Sequence, residues 1–424
     1  MRRPDTDVLI IGAGPAGASV AVRLARFGWR VTLVEQASFP RQKVCGECLG
    51  PASLELLDEL AVGAKVSELA GPAIRQVAWM ARDRTVVADM PACLDGRHAY
   101  GRAIGRDCLD LLLLEQARSQ GVDIVQPAKV RRVSGAPGNF DCVYERRCDG
   151  VGVMEEHARG TQHHLRAAIV IDAHGSWERG PECHAAKPDR SGNLQPRPAD
   201  LLAFKATFHG ASLASGVLPV LCLPGGYGGM VVSDRGRTTI ACCIRRTTLR
   251  RQREQARGAS AGDVVEAYLR SSCGGVADAL RTAHREDTWH AVGALRTGFH
   301  PQSAWGIARI GNAAAEAHPL IGEGICMALQ SAAMLAKLCG HRPKDLRAAY
   351  IVDVQRTHAA ACRKEFLGRM RLAQLYARVA MQPSLANAAA IVMQTWPGTL
   401  TAAAQLAGKA RRGVLQQPCP QAVA

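Results

Sequence analysis

Aromatic side chains are scarce in this chain: Phe, Trp and Tyr make up 4% of its 424 residues. That excludes the stacked platforms on which single-stranded nucleic acids are held. Zinc-finger, RNP and basic-zipper patterns are absent too, so nucleic acid is not an expected partner. No uninterrupted apolar run reaches the ~18 residues of a membrane-spanning helix. The early run VLIIGAG is cut by glycines too soon for a secretory signal. Cys45 and Cys48 form a Cys-x-x-Cys with no second copy, so no metal site is expected. The other cysteines are scattered, which fits packed thiols in a reducing cytoplasm.

The chain is longer than a single core of about 250–300 residues, so at least two lobes are expected. Net charge is +16. A phosphate-rich partner would draw on such an excess, whether a nucleotide, an acidic carrier domain or an anionic membrane. The abundance of Arg, Ala and Gly also matches GC-rich coding. The excess is read mainly as composition, with cofactor phosphates using a few of the charges.

Residues 7–35 read as strand, Gly-rich turn, helix and strand: VLIIG, then ASVAVRLARFG, then VTLVE. A helix is expected from Asp107 and a strand at VDIVQ. An irregular hairpin follows over 134–165, another strand at LRAAIVIDAHG, and a crossover loop over 178–200. Residues 201–245 alternate as strands do, with breaks at LPGGYGG and SDRGR. Residues 260–284 and GEGICMALQSAAMLAKLCG read as helices. The chain beyond Lys344 is expected to be helical, broken at Pro383 and Pro397.

Gly12-Ala-Gly14-Pro-Ala16-Gly17 is a G-x-G-x-x-G between a strand and a helix. Gly12 permits the tight turn, Gly14 the close approach of backbone to a pyrophosphate, and Gly17 the packing of helix on strand. The helix N-terminus then offers N–H groups and a positive dipole end to phosphates. Glu35 ends the second strand at the spacing of a ribose-binding carboxylate, which favours FAD or NAD over NADP.

Three further stretches complete a pattern. They are RAIGRDCLD around Arg106, IGNAAAEAHPLIGEGI over 310–325, and RQKVCGECLG over 41–50. Together with the Gly-rich start they resemble the p-hydroxybenzoate hydroxylase-like superfamily of FAD-dependent oxidoreductases. Within it they look most like the branch of geranylgeranyl reductases and flavin-dependent halogenases. The resemblance implies an α/β fold with a Rossmann-like FAD-binding domain built from 1–75, 96–178 and 286–344. An inserted antiparallel-sheet substrate lobe would comprise 76–95 and 179–285, with a helical region over 345–424. It implies that Arg106 lies along the ribityl-pyrophosphate chain. Gly311 and Asn312 would stand where the family has Gly-Asp. Pro319, Gly322, Gly324 and Ile325 would border the flavin ring, where a helix start can stabilise negative charge on reduced flavin. Arg41, Cys45, Gly46 and Glu47 match a flavin-side loop of the form Arg-x-Lys-x-Cys-Gly-Glu, to which Cys48 does not belong. Ala16, Gln36 and Val130 complete the expected cofactor shell.

The chain also departs from these relatives. His174 stands where hydroxylases carry an Asp that handles pyridine nucleotide, and Ser176, Trp177 and Glu178 follow it. The Trp-x-Trp pair of halogenases is missing, as is most of the reductases' aromatic segment, of which Tyr227 remains. The expected function is an FAD-dependent, NAD(P)H-fed monooxygenase acting on an apolar small molecule such as a polyketide or isoprenoid. Flavin-dependent double-bond reduction is the alternative. Dithiol–disulfide chemistry at Cys45 and Cys48, and a non-catalytic flavin-binding role, are lesser ones. Glu47, Tyr227 and His318 are the catalytic candidates. The protein is expected to be cytoplasmic. Arg363, Lys364, Arg369, Arg371, Arg378, Lys409, Arg411 and Arg412 could bring its tail onto an anionic membrane or an acidic carrier protein.

Overall fold

A computed structural model describes residues 4–146, 161–176, 180–183, 197–300, 306–344 and 346–410. Trp177, Glu178, Arg411, Arg412 and most of the 178–200 stretch lie outside the described residues.

Thr6–Ile11 is apolar without alternation because both of its faces are covered. It pairs in parallel with Val31–Val34 on one side and with Gln162–Asp172 on the other. Asp123–Val125 continues the sheet beyond Val31–Val34. On the far side, Ala128–Ala136 and Asn139–Arg146 form a hairpin that starts earlier than the one expected over 134–165, and the latter strand runs antiparallel to Gln162–Asp172. Between the first two strands the chain turns at Gly12 and enters the helix Pro15–Arg26. That helix begins with proline and has no side-chain cap. Gly17 is obligatory here, since a Cβ would stand 1.8 Å from the Gly12 carbonyl oxygen. The helices Arg106–Ser119 and Gly324–Cys339 pack beside Pro15–Arg26 and share its core.

A second sheet runs in the order 284–285, 201–209, 238–245, 226–232, 217–223, 76–81 and 84–89. It is not wholly antiparallel as expected: Val217–Leu223 runs parallel to Gln76–Ala81. Those two strands come from separate stretches of chain, so no hairpin dictates their direction. The expected break at LPGGYGG is also narrower. The turn is confined to Pro224 and Gly225, and Gly226–Val232 is a strand. Its glycines are there for closeness: a Cβ on Gly228 would stand 2.8 Å from the Ala241 carbonyl oxygen on the next strand.

Three helices follow, Ala348–Ala380, Pro383–Thr395 and Gly398–Leu406, with prolines at the expected breaks. They are not an appendage. The first lies on Gly324–Cys339, and the other two lie on the strands Gln76–Ala81 and Arg84–Asp89.

Candidate active site

A cavity of about 490 Å³ runs between the two sheets and under the C-terminal helices. Its first end is built by the Gly-rich turn. Gly12 sits at φ 100°, and a Cβ there would strike the Ala173 carbonyl oxygen at 2.6 Å. Gly14 and Ala16 line the cavity beside the uncapped start of their helix. Glu35 is buried, with Oε2 accepting from the Ala13 N–H (2.7 Å) and Oε1 from the Ala37 N–H (2.9 Å). Arg41 pairs with Glu35 at 3.1 Å.

Two guanidinium groups face this turn. A Cβ placed on Gly14 would lie 3.7 Å from Arg106 Nη2 and 4.0 Å from Arg41 Nη2. Arg106 makes a two-pronged pair with the fully buried Asp110, at 2.7 and 2.8 Å. Arg41 also reaches Asp110, at 3.7 Å. Although burial opposes its charge, the Asp110 carboxylate holds Arg106 firmly protonated. Buried Nε of Arg41 has no partner. A side-chain-free turn, an open helix start and two arginines, one with an orphaned donor, fit a pyrophosphate. The residues present therefore fit FAD.

Gln36, Val130, Gly311, Asn312, Pro319, Gly322, Gly324 and Ile325 also line the cavity. Gly17 stands behind the turn and serves packing alone. The Asn312 side-chain amide donates to Ser176 Oγ at 2.7 Å. His174 also lines the cavity, and its Nδ1 is hydrogen-bonded to the buried Asp172.

The Cys45–Cys48 loop crosses the middle of the cavity. Both cysteines are free thiols. Cys45 Sγ accepts from the Glu47 N–H at 3.3 Å, and Cys48 Sγ donates to the Gly46 carbonyl at 3.2 Å. Cys48 borders the cavity, yet the protein enclosing its sulfur pushes the thiol up to about 12. This runs against the dithiol reading, because a neutral thiol is neither a nucleophile nor a ready redox partner. A Cβ on Gly46 would meet nothing within 4 Å, so this glycine leaves room on the cavity side.

The left-handed residue of the loop is Glu47, at φ 59°. Its side chain is buried. Oε1 pairs with Lys205 and accepts from the Arg106 N–H at 3.3 Å, while Oε2 accepts from Thr239 Oγ1 at 2.6 Å. Lys205 also donates to Gln42 Oε1 at 2.8 Å. The catalytic reading of Glu47 thus meets a carboxylate already engaged on both oxygens. The structure gives it a positioning role, tying the loop to the second sheet.

The far end of the cavity is apolar. The second sheet presents Val77, Trp79, Leu218 and Val220, and the C-terminal helices add Leu375, Met393 and Leu400. Polar groups here are few. The Tyr227 hydroxyl lies 2.8 Å from His318 Nδ1, and Ala317 and Pro319 on either side of His318 line the wall. Burial pushes the Tyr227 hydroxyl well above its usual value. Burial, and secondarily the Arg378 charge, lower His318 to about 4. Both are therefore neutral at neutral pH. The nearby Glu316 carboxyl is pushed upward by burial despite hydrogen bonds from Ser176 and the Arg296 N–H.

Sequence reasoning passed over Lys205, Asp110 and Glu316, and counted Lys409 only with the basic tail. Asp110 had a signal, since it stands four residues after Arg106 on one helix face. So did Lys205, which shares the inward face of its strand with Leu201 and Ala203. Lys409 had none. It comes from the far end of the chain to line the cavity, 3.3 Å from Glu323 Oε1. Arg369, counted with the basic tail, is also turned inward, bonding Gln330 (2.7 Å) and Glu365 (2.9 Å).

Residues 5–353 match the protein family described as FAD binding domain. Among curated relatives, menaquinone reductase of Mycolicibacterium smegmatis is 26% identical over 353 residues, covering 78% of this chain and 76% of that protein. Tryptophan 2-halogenase of Chondromyces crocatus is 31% identical over 128 residues, which span 30% of this chain and only 24% of the halogenase. Among solved structures, the flavin-dependent halogenase CmlS aligns with a TM-score of 0.68 at 21% identity, over 95% of this chain and 72% of its own. PqsL of Pseudomonas aeruginosa, in complex with 2-aminobenzoylacetate, aligns at 0.67 and 19%, over 90% and 98%. At such identities these two structures establish the fold. With 349 residues matched out of 424 (5 to 353 inclusive), the chain belongs to the FAD binding domain family.

Proposed function

We propose that the chain is an FAD-dependent monooxygenase that hydroxylates an apolar small molecule at the expense of NADH or NADPH. One observation carries this reading. A single cavity joins a pyrophosphate-type cradle at Gly14, Arg41 and Arg106 to an apolar chamber whose few polar wall residues include Tyr227, hydrogen-bonded to the neutral His318. When bound, FAD supplies the redox chemistry, and the balanced reaction consumes substrate, dioxygen, NAD(P)H and a proton to give alcohol, water and NAD(P)+. Gly12, Gly14, Glu35, Arg41 and Arg106 would hold it, and the Gly322–Ile325 turn and Gly46 would border it. Tyr227 and His318 would hold or move a proton at the substrate. The apolar walls exclude water from the chamber. Glu47 and Lys205 keep the crossing loop in place.

Reduction of a double bond is the second reading. It is favoured by the similarity to menaquinone reductase over more than three-quarters of this chain, and it would place the chain near the reductase branch of the resemblance. The two readings part on oxygen. Protein purified with FAD would be reduced anaerobically by NADH and by NADPH, and then supplied with an apolar substrate and ¹⁸O₂. Product carrying ¹⁸O supports the monooxygenase. Product that forms without oxygen and gains two hydrogens sinks it in favour of the reductase. A protein that never takes up flavin absorbance sinks both.

A further inference from the structure

The chain carries no ionisable side chain between Arg378 and Lys409, a run of thirty residues in a protein that is otherwise 21% charged. Most of that run is the helix pair Pro383–Thr395 and Gly398–Leu406. Surface helices of soluble proteins set a polar, charged face against water. These two do not. Their inner sides supply Ala389, Met393, Leu400 and Ala403 to the cavity wall. Their outer sides present Leu385, Ile391, Val392, Trp396 and Leu406, each between 45% and 64% exposed. Six of the eight large apolar side chains most exposed among the described residues lie between Leu375 and Leu406.

The flank of this face is cationic. On the preceding helix Arg371, Leu375 and Arg378 are spaced four and three residues apart, so they form one stripe. All three are exposed, and Leu375 itself lines the cavity. The adjoining hairpin adds no net charge, since Arg82 and Arg84 are matched there by Asp83 and Asp89. Arg84 is bound to the helix pair through Gln394 Oε1 at 2.8 Å. Among the described residues no helix is long and apolar enough to cross a membrane. An uncharged helix pair with an outward tryptophan, bordered by arginines, is instead suited to lie in the headgroup region.

The geometry points to the 383–406 helix pair as a docking surface for an anionic lipid bilayer, with the apolar end of the cavity opening beside it. A second copy of the chain is a poorer occupant. A two-fold contact through this face would lay Arg371 and Arg378 toward the partner's helix pair, whose 379–408 run has no carboxylate to meet them, whereas anionic headgroups neutralise them. Docking is independent of the reaction proposed above. Only the corollary, that an apolar substrate passes from the bilayer into the cavity, rests on that reading.

The test is flotation of the full-length, FAD-loaded protein with vesicles of phosphatidylglycerol and phosphatidylcholine, and with phosphatidylcholine alone. The expected result is flotation with the anionic vesicles that weakens as salt rises. Val392→Glu with Trp396→Glu is expected to cut the bound fraction at least ten-fold, with flavin absorbance per protein unchanged as the sign of intact folding. Arg371→Glu with Arg378→Glu is expected to weaken binding to the anionic vesicles and leave binding to the neutral ones as it was. The proposal is overturned if the wild type does not float with anionic vesicles, or if the Val392 and Trp396 changes leave flotation intact. It is equally overturned if those changes abolish a concentration-dependent dimer while vesicle binding is absent. Flavin content is read separately, so loss of docking and loss of the FAD site cannot be confused.

Discussion

The Tyr227 hydroxyl and His318 Nδ1 lie 2.8 Å apart, although 91 residues separate them in the chain. The tyrosine stands on the central strand Gly226–Val232, and the histidine on the turn that leads to the Gly324–Cys339 helix. This pair joins the second sheet to the turn that precedes the Gly324–Cys339 helix. If it delivers or removes a proton, Tyr227→Phe should lower kcat for product formation about 10–100-fold, within the usual range for acid–base groups. Flavin content should stay unchanged. His318→Ala should cost a similar factor, and the double variant no more than either single one, because the two residues form one relay. Additive losses would argue that they act separately.

The same pair makes a prediction about pH. Burial, and then the Arg378 charge, bring His318 from 6.5 down to about 4. The folded protein therefore keeps this imidazole neutral through the range in which a free histidine would take up a proton. An acid limb in kcat/KM with a midpoint near 6.5 should not arise from His318. Protonation of the folded protein should set in only near 4, while the associated loss of stability accrues as pH falls from about 6.5, where the unfolded chain takes up the proton, to about 4. A limb near 6.5 that disappears in His318→Ala would contradict the burial argument.

Arg41 and Arg106 share the Asp110 carboxylate but differ in what else holds them. Arg106 is doubly bonded to Asp110, whereas Arg41 keeps a buried donor without a partner. Arg41→Ala should therefore weaken FAD binding, by about 10–100-fold if one charge-assisted contact is lost, and should cost the apoprotein less stability than Arg106→Ala, because Glu35 keeps its two backbone donors. Arg106→Ala should do both, since it leaves Asp110 buried without its main partner. Titration of apoprotein with FAD, together with the urea midpoint, separates the two effects.

The cysteines of the crossing loop should be dispensable for redox chemistry. Cys48 is held as a thiol up to about 12, and neither cysteine is in a disulfide. Cys45→Ser with Cys48→Ser should retain turnover within about three-fold, a change expected of altered packing alone. The checks are turnover with NAD(P)H and a thiol count on the native protein. Turnover lost in the double variant and restored by neither single reversion would bring the dithiol reading back.

Much of the nucleotide end was legible in the sequence, because its constraints are local. Gly12, Gly14 and Gly17 are spaced by one turn of chain, Glu35 ends the next strand, and Arg106 opens a helix. Each position follows from backbone geometry that a short stretch dictates. What escaped were pairings across lobes. Lys205 could be placed on an inward face by alternation, but nothing local says that the carboxylate it meets is Glu47, 158 residues earlier. Lys409 arrives only because three helices fold back over the second sheet. The glycines of Gly226–Gly229 read as a turn, since closeness between strands leaves the same signature as a bend. The tail read as a basic amphipathic segment because its charges stand out. Its longest uncharged run, which shapes the cavity and the exposed face, is marked only by what it lacks.

The Glu47–Lys205 pair yields the strongest test of how the two lobes are held together. Both side chains are almost wholly buried, 1% exposed as residues, and each has a further hydrogen bond, to Thr239 and Gln42. Removing one partner of such a pair leaves a charge without water or counter-charge and costs about 3–5 kcal/mol. Lys205→Met should therefore destabilise the protein by that amount in urea. Glu47→Gln should also destabilise it, although it keeps an acceptor for Thr239. The double variant removes both charges and should recover most of the loss, because the paired burial is itself close to neutral in net stability. Glu47 also sits at φ 59°, which costs about 1–3 kcal/mol wherever a non-glycine residue is forced into it. If the ion pair is what forces it, Glu47→Gly in the Lys205→Met background should be more stable than Lys205→Met alone. A double variant no more stable than the singles would show that Lys205 and Glu47 are buried for separate reasons.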